Sequence, residues 1–305
     1  MSKEIVDCRN QIFFDQDVSE LAKKLRSPLS MISSITLINN QLQMRNFLSI
    51  LEAFRNHPHL TFLRYEENFL EDGALLLAKY LKKNSTLETL ILNDNRVYPN
   101  GIASMAAAIK VNQNLKVLKL ENCVSDKEGV LIADALKHNS SLTELSLKRN
   151  LLWHSGWDAM ANALQVNSTL KILDLSDCRH MDSDCCSSLA NALKFNYGLE
   201  CLNVSSFNFS FEWKNIFIHA LQFNVTLLSL KMTLDFFEEQ FTSKIFQNTS
   251  RLDIARLKTQ LFYFLFPTIN IHRIFNIIFY SNQKKISEHC EALHTSNVLE
   301  EPLKQ

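Results

Sequence analysis

One twelve-residue phrase recurs through this chain. "NSTLETLILNDN" runs from Asn84 to Asn95 and returns as "NSTLKILDLSDC" from Asn167 to Cys178. Its first apolar position is found at Ile32, Leu60, Leu87, Leu115, Leu142, Leu170, Leu199 and Leu227, in steps of 27 to 29 residues. A fixed period of that length means a solenoid, because each unit buries its apolar side only against its neighbours.

Within a unit the spacing is L-x-x-L-x-L-x-x-N, as in Leu87, Leu90, Leu92 and Asn95 or in Leu142, Leu145, Leu147 and Asn150. The alternation at the last two Leu predicts a short strand, with those side chains facing inward and the intervening residues facing outward. Asn at the ninth position falls where the chain turns inward, and its amide is placed to satisfy backbone groups that the turn leaves unpaired. The second half of each unit reads as a helix, as in "DGALLLAKYLKKN" (72–84), "NGIASMAAAIKVN" (100–112) and "HSGWDAMANALQVN" (154–167). These segments end in Asn84, Asn112, Asn139, Asn167, Asn196 and Asn224, and Asn is expected there in the left-handed conformation that closes a helix. A large aliphatic residue three positions earlier and, in five of the six, Ala six positions earlier predict a helix lying close against the strand layer.

This pattern resembles the leucine-rich repeats of the ribonuclease-inhibitor type, whose ninth position holds Asn or Cys. Here it holds Asn40, Asn68, Asn95, Cys123, Asn150 and Cys178, while Phe207 and Asp235 depart from the rule. The resemblance covers about residues 32–250, read as eight repeats. It implies an α/β solenoid, a horseshoe arc with a parallel sheet on the concave face and helices on the convex face, that binds a protein partner. Residues 1–31 read as a degenerate N-terminal capping unit, with "EIVDC" as a strand and "VSELAKKL" (18–25) as helix. Residues 251–295 read as a helical C-terminal cap, and 296–305 as a flexible polar tail.

Composition excludes several classes of function. Lys+Arg and Asp+Glu both total 32, so no global field draws the chain to nucleic acid. The N-terminus "MSKEIVDCRNQIFF" lacks the apolar core of a secretory signal, and the seven cysteines show no regular pairing, which suits free thiols in a cytosol. Gly73, Gly101, Gly129 and Gly156 recur at helix entrances and Gly198 precedes a strand, which leaves no glycine for a phosphate-cradling loop. The segment "DCRHMDSDCC", with Cys178, His180, Asp182, Asp184, Cys185 and Cys186, lacks the spacing of a zinc site and reads as buried thiols. No nucleophile signature accompanies any of the nine His. No catalytic residue, cofactor or metal is expected.

The run "LFYFLFPTINIHRIFNIIFY" (261–280) approaches the length of a bilayer span but contains Pro267, Asn270, His272, Arg273 and Asn276. It reads as a cap packed on the last repeat. Because 15 of the 21 Phe lie at or beyond Phe195, a hydrophobic partner or membrane-surface contact stays open at that end.

With catalysis set aside, the informative residues are those facing outward from the strands and their turns. Phe62, Ile91, Val117 and Ile172 are expected to form an apolar centre, with Arg64, Lys119, Glu144 and Asp174 as a charged rim. Turn residues Glu66, Glu67, Asp94, Glu121 and Asp177, against Lys148 and Arg149, make a mostly acidic edge suited to a basic partner. Trp153 is the expected aromatic anchor, while Trp157 has the helical spacing of a core residue. The expected function is therefore a non-enzymatic interaction module gripping a protein on its concave face. Repeats that stand almost alone, with a glutamate-bearing tail (Glu300, Glu301), also resemble the leucine-rich-repeat effectors that intracellular bacteria deliver by type IV secretion. The alternatives are a regulator of a GTPase, which the same repeat family includes, and a membrane-associated scaffold using residues 261–280.

Overall fold

The computed structural model describes residues 3–231 apart from 56, 206–210, 222 and 225. The expectations placed on Phe207, Asp235, the end of the last repeat, the cap at 251–295, the run 261–280 and the tail 296–305 lie outside the described residues.

Strand and helix alternate throughout. The first units are β1 (Glu4–Arg9), α1 (Asp15–Arg26), β2 (Ile32–Ile38), α2 (Met44–Phe54), β3 (Phe62–Glu66), α3 (Gly73–Leu81), β4 (Thr89–Ile91) and α4 (Pro99–Ile109). They continue as β5 (Val117–Lys119), α5 (Asp126–His138), β6 (Glu144–Ser146), α6 (His154–Val166), β7 (Ile172–Asp174), α7 (Ser183–Phe195), β8 (Cys201–Asn203), α8 (Phe211–Leu221) and β9 (Ser229–Lys231). All nine strands pair in chain order in a single parallel sheet, each joined to the next through a helix. Every described step of the solenoid is thus one strand and one helix, and among the described residues the sheet does not close on itself.

The repeat period fixes the register. Ser34, Phe62, Thr89, Val117, Glu144, Ile172, Cys201 and Ser229 are successive pairing partners. Two residues on, Thr36, Arg64, Ile91, Lys119, Ser146, Asp174, Asn203 and Lys231 form a second column. Between them Leu63, Leu90, Leu118, Leu145 and Leu173 point inward and are fully buried. Each such Leu contributes about 1.5–3 kcal/mol of apolar burial. Ala78, Ala106, Ala133, Ala161 and Ala190 meet them from the helices, all 4% exposed or less. Helices pack on their neighbours just as closely, since a Cβ added at Gly101 would fall 2.8 Å from Cβ of Ala74.

Two ladders of asparagine satisfy the backbone between units. At the ninth position Asn150 accepts the N–H groups of Cys123 and Val124, both at 2.8 Å, and donates to the carbonyls of Leu120 and Leu147, both at 2.7 Å. Asn68 makes the same kind of bridge between the neighbouring units. Cys178 stands in at one rung, its Sγ 3.1 Å from the carbonyl of Leu147.

The second ladder corrects the expected mode of helix closure. Asn139, Asn167 and Asn196 cap α5, α6 and α7 with φ of −88°, −83° and −83°, extended and not left-handed. Their side chains explain the choice of residue instead. Asn167 donates to the carbonyls of Leu136 and Asn139 in the preceding unit and accepts the N–H groups of Thr169 and Leu170 in its own. Asn112, Asn139, Asn196 and Asn224 repeat this bridge. A left-handed residue does occur in these units, but on the opposite edge, just before the ninth position, at Asn39, Glu67, Asp94, Asn122, Arg149 and Asp177.

Candidate functional site

The two outward columns lie on the strand face turned away from the leucine core, as the alternation requires. Their apolar members are nevertheless covered. Ile91 is 2% exposed, Val117 1% and Ile172 4%, and only Phe62 is half-buried. The expected apolar centre is therefore corrected: neighbouring strands about 4.8 Å apart let adjacent outward side chains shield one another, so these three offer almost no area to a partner.

The charged members are paired among themselves. Arg64 donates from Nε to Oε2 of Glu66 at 2.5 Å, both side chains largely buried. Burial pushes the Glu66 carboxyl up, against the opposing pull of Arg64. Lys119 pairs with the buried Glu144 at 2.9 Å one strand away. Glu121 accepts from the Ser146 hydroxyl at 2.8 Å, and Asp174 accepts from Ser176 and from the amide of Asn203. Desolvating such charges is offset only by good pairing, so these contacts set the shape of the face more than they stabilise it.

At the turn edge, Asp94 receives Nη2 of Arg149 at 2.8 Å, across two repeats, and Nδ2 of Asn122 at 2.9 Å. Lys148 and Asp177 approach to 3.7 Å. The mostly acidic edge read from sequence is thus largely neutralised in place, and Glu67 is its exposed acidic member.

Trp153 differs from all of these. Half its surface is exposed, and its ring stacks on His180 with centroids 3.5 Å apart and planes 14° from parallel. Leu151 beside it is 43% exposed, while Trp157 is fully buried. On this edge Phe69 and Tyr98 are also exposed, in the turns of earlier repeats.

The sequence reading missed one grouping. His154 lies 3.1 Å from Oδ2 of Asp182 through Nε2 and 3.6 Å from Sγ of Cys185 through Nδ1. Only Asp182 and Cys185 fall inside the segment "DCRHMDSDCC"; His154 comes from the preceding repeat, and the signal that joins them is the shared position four residues after Asn150 and after Cys178. The order thiol, imidazole, carboxylate suggests a nucleophile, yet Cys185 is 1% exposed and burial pushes its thiol up to about 12. The nearby N–H groups of Asp184 and Cys185 are already held by Asp182. An activated thiolate with a free oxyanion site is what cysteine catalysis needs, and this arrangement has neither. Among the described residues no helix is long and apolar enough to cross a membrane.

Comparison with known proteins agrees on the repeat. The family model described as Leucine Rich repeat matches residues 83–106 and 166–190. The human NACHT, LRR and PYD domains-containing protein 5 is 28% identical over 66% of this chain and 19% of its own length. The human NACHT, LRR and PYD domains-containing protein 14 is 25% identical over 74% of this chain and 24% of its own length. The chain therefore spans about a fifth to a quarter of these curated relatives. Among solved structures, an internalin from Listeria monocytogenes is 18% identical with a TM-score of 0.44, covering 75% of this chain and 62% of that chain. The parallel sheet and the family model together establish a leucine-rich-repeat solenoid, an architecture whose extended faces serve protein–protein interaction.

Proposed function

We propose that this chain acts without catalysis, as a protein-interaction module whose partner lies along the concave sheet and is anchored at its turn edge by Trp153. The observation that supports this reading is the half-exposed indole stacked flat on His180, beside exposed Leu151 and the Arg149–Asp94 pair. A rigid aromatic held in place before binding loses little entropy on docking, and Trp and Arg are the residue types that dominate interface energies. Arg64, Lys119, Asp174 and the other outward charges then act as a rim that selects charge pattern, with Ile91, Val117 and Ile172 setting the floor beneath them.

Affinity capture with cross-linking tests the reading, using wild type, Trp153→Ala and Leu151→Ala, and Val166→Ser on the opposite edge as control. Trp153→Ala is expected to weaken the dominant partner by about 2 kcal/mol or more, roughly 30-fold, with the control unchanged. Equal capture by wild type and Trp153→Ala would remove the anchor and with it the turn-edge reading. A type IV-secreted bacterial effector is a narrower version of this reading, and a GTPase regulator and a membrane-associated scaffold using 261–280 are alternatives to it, all three resting on sequence features; the internal pairing of the acidic edge weakens the argument for a basic GTPase surface.

A further inference from the structure

Three different metal-ligating groups converge where α6 and α7 begin. The ligand atoms of His154, Asp182 and Cys185 all lie within 4.8 Å of one another. We propose that these side chains form a binding site for a zinc-class transition-metal ion, with water as the fourth ligand, clasping the two adjacent repeats together.

Register brings the ligands side by side. His154 and Asp182 occupy the same position of consecutive repeats, where the units before and after them place Met44, Asp72, Pro99, Lys127 and Phe211, so among these units this junction alone sets a histidine and a carboxylate next to each other at that position. Cys185, in the first turn of α7, supplies the floor of the site at 1% exposure, while the side chains of His154 and Asp182 are 63% and 42% exposed and leave a path for the ion.

The separations are within reach of one shared ion once the ring turns. Zinc bonds of about 2.3 Å to sulfur and 2.0–2.2 Å to nitrogen and oxygen, at tetrahedral angles, place a sulfur and a nitrogen ligand about 3.6 Å apart and a nitrogen and an oxygen ligand about 3.4 Å apart. In the structure Nδ1 stands 3.6 Å from Sγ of Cys185, whereas Nε2, the other ring nitrogen, stands 3.1 Å from Oδ2 of Asp182. A single ring nitrogen serves the metal, so the exposed imidazole turns to present one nitrogen to both partners. The carboxylate is already oriented: Oδ1 of Asp182 accepts the N–H groups of Asp184 at 3.1 Å and Cys185 at 3.0 Å, which leaves Oδ2 facing His154. Such fixed outer contacts are what metal sites use to aim their ligands.

The ligand set selects the ion. One sulfur and one imidazole favour zinc, cobalt or copper over magnesium and calcium, which take oxygen cages. On binding, the S–H bond of Cys185 breaks, its proton leaves to solvent, and the sulfur lone pair forms the bond to the metal with no change of oxidation state. Because His154 adjoins Trp153, the bound ion also stiffens the stacked aromatic edge.

Cobalt(II) titration of the full chain, stripped first with a chelator, reads the site directly. Expected is a saturable thiolate-to-cobalt charge-transfer band in the near ultraviolet with the visible bands of four-coordinate cobalt, both displaced by zinc. Cys185→Ser removes the charge-transfer band, His154→Asn weakens binding by about 10-fold or more, and Cys8→Ser leaves the titration unchanged. No saturable band in wild type, or a band kept in Cys185→Ser, overturns the proposal. Should circular dichroism show Cys185→Ser unfolded, the exposed His154→Asn decides, and unchanged cobalt affinity there overturns it equally.

Discussion

Where each central strand leaves the sheet, the chain passes through a left-handed residue, and the repeats do not fill that position equally well. Asn39 and Asn122, and Asp94 and Asp177, tolerate it, whereas Glu67 and Arg149 hold it with φ of 51° and 60° and longer side chains. Arg149 has its pair with Asp94 as compensation. Glu67 is exposed at the same edge, and the residues aligned with it show what the backbone prefers. Glu67→Asn is therefore expected to stabilise the fold by about 0.5–1 kcal/mol, a part of the roughly 1–2 kcal/mol that left-handed backbone costs an L-residue. The midpoint of urea unfolding measures it, and a midpoint that falls would show that the Glu67 side chain has a structural role that outweighs its backbone.

The repeating element is a strand and helix held to its neighbours by two asparagines, and this arrangement was only half legible in the sequence. Ninth-position Asn announces itself by its spacing, and the backbone bridge inferred for it is found at Asn68, Asn95 and Asn150. The helix-closing Asn was equally visible as a pattern, but its reason was not, because its partners are carbonyls of the preceding repeat, 31 residues back for Asn167 and Leu136. A residue preference read locally was in fact set by contacts between units. Asn150 makes the point measurable: its amide is 1% exposed and serves four backbone groups. Asn150→Ala leaves buried donors and acceptors without partners, each costing about 1–3 kcal/mol, so a loss of at least about 3 kcal/mol is expected in urea unfolding. Asn150→Cys is expected to lose less, since Cys123 and Cys178 fill the equivalent position natively. Equal losses for the two substitutions would mean that volume and not hydrogen bonding governs the rung.

Across the described repeats the period determined the architecture, but packing between repeats determined the surface. Inward leucines followed from alternation alone, whereas the burial of Ile91, Val117 and Ile172 depends on the residues in adjacent strands, and the meeting of His154 with Cys185 on a register 31 residues apart. Neither signal exists inside one unit. The core likewise runs without interruption from Val18 of α1 to Leu227, so each unit is stabilised by what lies on both sides of it. In such a one-dimensional system stability is a sum of unit and interface terms, and a lesion spreads through the interfaces it touches. Leu145 is fully buried at the centre, between β5 and β7, while Leu21 is 7% exposed in α1 at the N-terminal end. Leu145→Ala should cost about 2–5 kcal/mol and raise hydrogen exchange in repeats on both flanks. Leu21→Ala should raise exchange in β1, α1 and β2 while leaving β6 protected. Exchange confined to β6 and its helix after Leu145→Ala would mean that the interfaces are too weak to couple the repeats, and the solenoid would then be a string of independent units instead of one cooperative arc.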